Sequence, residues 1–419
     1  MNPILEILKT RGLFQQCSDP EKLSALMDEG PLTFYVGCDP TGPSLHIGHM
    51  VPFFAYRHLC AAGHKGIALI GGGTARIGDP SGKTSVRRIL SYEQLDSNAA
   101  AIQEQLNRFL HFDGKNALWD NNKNWLASLN YLDFLREIGS HFSVNRMLSF
   151  EAYKMRMETG LSFIEFNYQL LQSYDFLELY RRYGCRLQIG GDDQWGNIVA
   201  GADLIRRIEG AEVFAMTFPL VTTADGKKMG KTEKGALFLD PALTSPYDFF
   251  QYWRNVSDND TKRFLLMFTF LSVEECEKLT AAGTNPNAAK ERLAWEVTAL
   301  IHGTSAADTV LSGAKAAFGG EGGDRAAMPL ALLAQERFEA GYNVVDLFFD
   351  AGLVPTKSEG RRLVQQGGAF IAKTTGELAV IRTVQDCIGS DWFSATGELV
   401  LRAGKKRYCR VAMQEKTEH

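Results

Sequence analysis

Nowhere in the 419 residues is there a run of the ~18 consecutive apolar positions that a membrane-spanning helix needs. The first nine residues, Met1-Asn2-Pro3-Ile4-Leu5-Glu6-Ile7-Leu8-Lys9, lack a basic segment ahead of an apolar core and a small-residue cleavage site. They read as a short amphipathic helix, so no secretory leader is expected and a cytoplasmic location is the default. The seven cysteines (17, 38, 60, 185, 276, 387 and 409) are scattered and never spaced as a metal-binding pair. This excludes a zinc-ribbon or finger reading and predicts buried free thiols in a reducing compartment. Excess positive charge is also absent: the net charge of −4 does not suit a protein that coats nucleic acid with its whole surface, although it leaves room for a local basic face. There is no long internal repeat and no low-complexity tract.

What is present is organised. The length predicts roughly two to three domains of ~100–200 residues. Over the first 220 residues or so, short apolar runs alternate with helical stretches, the pattern of βαβ units and a parallel sheet. Leu32–Val36, Ile67–Ile70, Leu187–Ile189 and Phe214–Val221 read as strands, with Pro219 bending or ending the last. Tyr92–Phe109 and Ile164–Tyr183 read as amphipathic helices. Residues 241–318 are helical in texture and rich in aromatics. Gly319-Gly320-Glu321-Gly322-Gly323 reads as a flexible linker. From Tyr342 onward there are 11 Lys and Arg against 9 Asp and Glu, a net of +2, which leaves −6 on the preceding residues. A small basic module after an acidic body suggests a polyanion-binding appendage.

Each polar cluster follows a strand. Asp39-Pro40-Thr41 follows the first, Gly78-Asp79-Pro80-Ser81-Gly82-Lys83 the second, Asp192-Asp193-Gln194 the third and Lys227–Thr232 the fourth. Ligands of open α/β sheets sit beyond the carboxyl ends of the strands, so four separate segments converge on one mouth. That convergence points to an enzyme.

His46-Ile47-Gly48-His49 suits a helix N-terminus that binds a nucleotide phosphate, with two histidines on one face and a glycine that lets a base or ribose approach. The alternatives are two surface histidines or a two-histidine zinc site, the latter weakened by the lack of a third ligand cluster. Gly82-Lys83-Thr84 and Gly230-Lys231-Thr232 tempt a Walker A reading, but Ile77 and Asp225 stand where its first glycine belongs. They suit mobile cationic loops that gather phosphates, or plain solvated basic loops. Tyr168, Gln172 and Asp175 fall at i, i+4 and i+7 and share one helix face. That stripe is either solvated or lines a polar pocket in which Asp175 and Tyr35 bracket a substrate hydroxyl. The adjacent Asp192 and Asp193 suit ribose hydroxyls, with a two-metal hydrolase as the weaker alternative.

Taken in order, Tyr35–Thr41, His46–His49, Gly78–Lys83, Tyr168–Asp175, Gly190–Asn197 and Lys228–Thr232 resemble the motifs of class I aminoacyl-tRNA synthetases, specifically the bacterial tyrosyl branch. The resemblance covers nearly the full chain. It implies a Rossmann-like parallel-sheet catalytic domain at 1–225. An α-helical domain follows at 226–325, with the KMSKS-type lysine loop at its start, and a small α+β RNA-binding domain at 342–419. It implies a ligase that activates L-tyrosine with ATP to tyrosyl-adenylate and pyrophosphate, then transfers tyrosine to the 3′ end of its tRNA. Mg²⁺ would accompany the ATP phosphates, the chain would form a homodimer with Phe163 at a dimer-interface position, and no membrane would be involved.

The same resemblance assigns roles. Tyr35 and Asp175 would hold the tyrosine hydroxyl, Asp79, Tyr168 and Gln172 its amino group, and Gln194 would lie near the reacting carboxylate. Thr41 and His46 would contact the γ-phosphate. Gly37, Asp39, Gly48, His49, Gly191 and Asp193 would surround the rest of the nucleotide, and Lys83, Arg87, Lys228 and Lys231 would close on pyrophosphate. The tail run Val345–Ile371, with Lys405-Lys406-Arg407-Tyr408, resembles an alpha-L RNA-binding domain of ribosomal-protein type; Tyr408 either stacks on RNA or packs. Three positions depart from the pattern: Asp192 replaces a small residue, Cys38 a phenylalanine, and Met229 varies within the lysine loop. Other His-x-Gly-His transferases, the tryptophanyl sister enzyme and a non-catalytic RNA-binding derivative are the competing readings.

Overall fold

The computed structural model describes residues 1–81, 90–224, 226, 229–232, 235–317, 328–372, 378–394, 397–404 and 407–414, with 231, 232, 235, 316 and 317 described by backbone alone. Contacts divide the chain into two compact units, Met1–Ser245 with Tyr252–His302, and Pro246–Gln251 with Gly303–His419.

The first unit is built on a six-stranded sheet. Its strands are β1 (Gln16–Cys17), β2 (Thr33–Cys38), β3 (Lys65–Ile70), β4 (Ala117–Asn121), β5 (Cys185–Gly191) and β6 (Phe214–Phe218), in the order β1-β6-β5-β2-β3-β4. β2 to β6 are parallel, and β1 pairs antiparallel with the outer edge of β6. β3 and β6 are almost wholly buried, as expected of parallel strands covered on both faces. The chain runs from β2 through β3 to β4 on one side, then returns to lay β5 and β6 on the other. The strand order therefore switches between β2 and β5, which is where a ligand crevice opens in such sheets.

The four strands read from the sequence exist with adjusted limits. The last stops at Phe218, ahead of Pro219, which has no amide hydrogen to donate to the ladder. Two strands were not anticipated. β1 has only two residues, and β4 (Ala-Leu-Trp-Asp-Asn) is a partly exposed, polar-ended edge strand without an apolar run.

The helix Phe163–Tyr183 starts at a reciprocal cap, in which Ser162 Oγ accepts from the Glu165 amide and the Glu165 side chain accepts from Ser162. It ends at Gly184, whose left-handed conformation suits glycine. Arg156, itself buried, holds Glu165 at 3.0 Å and fixes this helix start. The histidine segment differs from expectation: Ile47–His49 is a 3₁₀ turn and the α-helix begins only at Val51, so Pro52 lies in its first turn, where no intrahelical donor is required. The helices Asp258–Phe268, Val273–Leu279 and Pro286–His302 complete this unit.

The second unit contains the helix Thr304–Ala317 and a five-stranded sheet ordered Leu378–Ile381, Ala369–Ala372, Glu398–Ala403, Arg407–Gln414, Leu330–Ala334. The last pair is parallel and the others antiparallel. Val344–Asp350 and Lys357–Gln365 supply the helices, and Phe338, Leu347, Phe348, Leu401 and Val411 centre the core. The sheet thus recruits Leu330–Ala334, upstream of the basic tail read from the sequence. Tyr408 is buried, so it packs rather than presenting its ring. Lys405, Lys406 and the linker Gly319–Gly323 lie outside the described residues. Cys185, Cys276 and Cys409 are buried and Cys387 is exposed; all seven thiols are free.

Candidate active site

A cleft of about 370 Å³ opens at the carboxyl ends of β2, β3, β5 and β6, at the switch in strand order. Thirteen of the residues singled out in the sequence line it: Tyr35, Gly37, Asp39, Thr41, Gly48, His49, Asp79, Tyr168, Gln172, Asp175, Gly191, Asp193 and Gln194. His46 stacks on His49 with ring centroids 3.6 Å apart. Lys83, Arg87 and Lys228 lie outside the described residues. Lys231 is placed by its backbone in the short strand Lys231–Thr232.

The deep end is polar and buried. Tyr35 on β2 is 1% exposed, packs its ring on Phe176 at 5.3 Å, and has no hydrogen-bond partner for its hydroxyl among the described residues. Burial, and then the nearby Asp175, push its pKa well above the usual tyrosine value. Asp175 is 2% exposed. Burial raises its pKa to about 8, against the pull of two donors that favour the carboxylate: Trp125 Nε1 at 2.7 Å and Asn122 Nδ2 at 2.9 Å. Gln172 and Gln188 also place buried side-chain oxygens here with no partner among the described residues. Buried polar groups are rarely left unpaired without a reason. A hydroxyl that both donates and accepts would suit this set. The helix stripe Tyr168, Gln172 and Asp175 therefore faces the cleft and not solvent.

A second layer holds the walls. Asp39 accepts from Thr74 Oγ1 at 2.7 Å and from the Tyr168 hydroxyl at 3.0 Å. Gln194 Nε2 donates to Asp79 Oδ2 at 2.7 Å, and the Ser81 amide donates to its Oδ1 at 2.9 Å. These bonds join the loops after β2, β3 and β5 to the helix Phe163–Tyr183. The Asp79 carboxylate suits an ammonium group nearby.

At the outer end, the histidine turn and the segment after the lysine loop are joined. The Ile47 amide donates to the Leu237 carbonyl at 3.0 Å, and the Leu239 amide to the Leu45 carbonyl at 2.9 Å. A Cβ on Gly48 would stand 3.0 Å from the His46 ring and 3.3 Å from the Met229 carbonyl oxygen, so this close approach depends on glycine. Asp192 does not face the cleft. Its Oδ1 accepts from Gln16 on β1 and Thr217 on β6, so it does not form a carboxylate pair with Asp193 in the cleft, as the ribose and two-metal readings expected.

Residues 27–319 match the family model described as tRNA synthetases class I (W and Y). The chain belongs to that family. Among class I synthetases, a tyrosine–tRNA ligase of Treponema denticola is 62% identical over 411 residues, spanning 98% of this chain and 99% of that protein. The tyrosine–tRNA ligase of Treponema pallidum is 60% identical over 411 residues, spanning 98% of each. Of solved structures, a C-terminally truncated mitochondrial tyrosyl-tRNA synthetase of Aspergillus nidulans superimposes with a TM-score of 0.67 at 30% identity, covering 74% of this chain and 92% of that one.

The class I synthetase cleft is also lined by residues that the sequence did not disclose, Thr74, Asn122 and Gln188, and Trp125 supports Asp175 from behind it. Gln188 was detectable in principle, as a polar residue inside an otherwise apolar strand, where its β-ladder partner is Tyr35. Asn122 and Trp125 follow the unanticipated β4 and carried no signal of their own.

Proposed function

We propose that this chain is a tyrosine-activating ligase that forms tyrosyl-adenylate from L-tyrosine and ATP, releases pyrophosphate, and transfers the tyrosyl group to the 3′ end of a tRNA that accepts tyrosine. The observation that carries the choice of amino acid is the buried Tyr35–Asp175 end of the cleft, where unpaired polar groups surround space suited to a phenol. Tyr35 and Asp175 hold the substrate hydroxyl. Asp79, Tyr168 and Gln172 hold its ammonium group, and Gln194 lies beside its carboxylate. Thr41 and His46 meet the γ-phosphate, with Gly37, Asp39, Gly48, His49, Gly191 and Asp193 around the remainder of the nucleotide. Lys83, Arg87, Lys228 and Lys231 complete the pyrophosphate site.

The chemistry needs no enzymic nucleophile. A carboxylate oxygen of tyrosine attacks the α-phosphorus, the bond to the bridging oxygen breaks, and pyrophosphate departs with the electron pair. A terminal ribose hydroxyl of the tRNA then attacks the activated carbonyl and AMP leaves. Catalysis is positioning together with stabilisation of negative charge on the phosphates. Mg²⁺ enters with the ATP as part of the substrate, since this ion is commonly held by phosphates and one or two carboxylates. Phenylalanine is rejected because it strands the buried polar groups built for a hydroxyl, a principle for which tyrosine against phenylalanine is the standard worked case.

We divide the chain into a catalytic domain at 1–225, a helical domain at 226–325 and an RNA-binding tail at 342–419 whose sheet also takes in Leu330–Ala334, and place the enzyme in the cytoplasm. A homodimer fits Phe163 and Ile164, which stand exposed at the start of the substrate-facing helix. The decisive experiment is ATP–pyrophosphate exchange with each amino acid in turn. Exchange with tyrosine alone is expected. Exchange with tryptophan instead would assign the sister activity, and none at all would favour a non-catalytic RNA-binding protein.

A further inference from the structure

The turn that presents Asp193 and Gln194 to the cleft is tied from behind by a residue that does not face it. Asp192 opens the turn Asp192–Gln194 directly after Gly191, at the end of β5. Its Oδ1 accepts from Gln16 Nε2 at 2.7 Å and from Thr217 Oγ1 at 2.9 Å. Gln16 and Thr217 are register partners across β1 and β6, so the antiparallel edge pair sets two donors side by side. The Gln15 amide donates to the Thr217 carbonyl at 2.7 Å and locks that pairing. Thr217 is fully buried, which fixes its hydroxyl.

The turn needs such an anchor. Gly190 and Gly191 precede it, held by their pairing with Thr217 and Phe218 of β6, and have no side chains that reach into the turn. Its far end is held by Gln194, which donates to Asp79 at 2.7 Å. Between these ties stands Asp193, whose Oδ1 lies 2.8 Å from where a Cβ on Gly191 would be. The bonds from Asp192 therefore hold the start of the turn, as the bond from Gln194 holds its end. A small residue at 192 would not span to the sheet edge as this carboxylate does.

We propose that Asp192 is a positioning residue for the nucleotide half of the cleft, acting through Gly191 and Asp193 by means of its bonds to Gln16 and Thr217. This rests on the reading that Gly191 and Asp193 face the adenosine. Bonds to a charged acceptor are the stronger kind, so their loss displaces the Gly191–Asp193 side of the turn, while Gln194 stays tied to Asp79.

The test is tyrosine-dependent ATP–pyrophosphate exchange by the full-length protein. Asp192→Ala removes both bonds and is expected to raise the KM for ATP at least about tenfold, since even one charge-assisted hydrogen bond is worth that much, while kcat and the KM for tyrosine stay within about twofold. Asp192→Asn keeps an oxygen acceptor in the same place without the charge and should fall between the unaltered protein and Asp192→Ala. The double variant Gln16→Leu with Thr217→Val leaves Asp192 in place, changes nothing in the cleft, and should reproduce the ATP effect. An unchanged KM for ATP in Asp192→Ala overturns the proposal. So does a rise that the double variant fails to reproduce, or a parallel rise in the KM for tyrosine, which would mark a general loss of structure. Absence of tyrosine-dependent exchange in the unaltered protein overturns the underlying reading, and this inference with it.

Discussion

The indole Nε1 of Trp125 donates a 2.7 Å hydrogen bond to Asp175 Oδ1, at the buried end of the cleft. Asn122 takes the other carboxylate oxygen, so Asp175 is aimed by two side chains from the loop and helix after β4. Trp125→Phe keeps most of the packing and deletes the donor. Leaving a buried acceptor without its donor costs about 1–3 kcal/mol, which should raise the KM for tyrosine by roughly fivefold or more, with little change in the KM for ATP. An unchanged tyrosine KM in pyrophosphate exchange would show that the bond does not orient the carboxylate.

Asp175 also makes the ligand-free protein sensitive to pH. Burial lifts its pKa from 3.8 to about 8. The folded state therefore holds a proton that the unfolded chain releases near pH 4. Between these values folding binds the extra proton, so this group's contribution to stability is present at low pH and lost as pH rises towards 8. The slope is at most about 1.4 kcal/mol per pH unit. Asp175→Asn removes the titration. The Tm of the wild type minus that of the variant should fall steadily from about pH 5 to pH 8 and level off above it, as read by thermal denaturation without ligands. A difference that does not vary with pH would contradict the assigned cause.

Gly48→Ala tests the outer end. The added methyl would stand 3.0 Å from His46 Cε1 and 3.3 Å from the Met229 carbonyl, so the turn or the neighbouring segment must give way. Displacement of a positioning group can cost about 100-fold, and a loss of about 10- to 100-fold in kcat/KM for ATP is expected. Equilibrium tyrosine binding should persist, because Tyr35 and Asp175 lie at the opposite end. Loss of tyrosine binding as well would show that the two ends are not separable.

For the tail, the sheet dictates where to cut. Leu330–Ala334 pairs with Arg407–Gln414 and belongs to the same sheet, so a deletion that begins at Tyr342 would strip this strand of its partner. Removing Met328–His419 takes the strand with its sheet. Tyrosine-dependent pyrophosphate exchange should be retained and tRNA charging reduced at least about tenfold, as loss of phosphate contacts predicts. Undiminished charging would remove the tail from the tRNA-binding surface.

Much of the cleft was legible before any fold was known, for a physical reason. Asp39, Asp79, Asp193 and Gln194 stand directly after strand-like runs, and the rule that parallel strands direct their carboxyl ends to one side converts sequence position into place. Helical spacing likewise put Tyr168, Gln172 and Asp175 on one face. The edge strands escaped notice because edge positions need no continuous apolar run: β1 has two residues, and β4 presents a half-exposed Trp119.

The sequence by itself determined the alternation of strands and helices, the helix caps, the glycines at tight approaches and the set of polar residues that the cleft would use, since each depends on near neighbours along the chain. Only the tertiary structure decided which way individual carboxylates turn. Asp192 and Asp193 are adjacent and chemically alike, yet one binds the sheet edge through Gln16 and Thr217 and the other lines the cleft. The burial that holds the Asp175 proton and the partners that aim its carboxylate were likewise set by segments distant in sequence. Electrostatic environment and hydrogen-bond direction depend on what packs nearby in space, and chain spacing alone does not encode it.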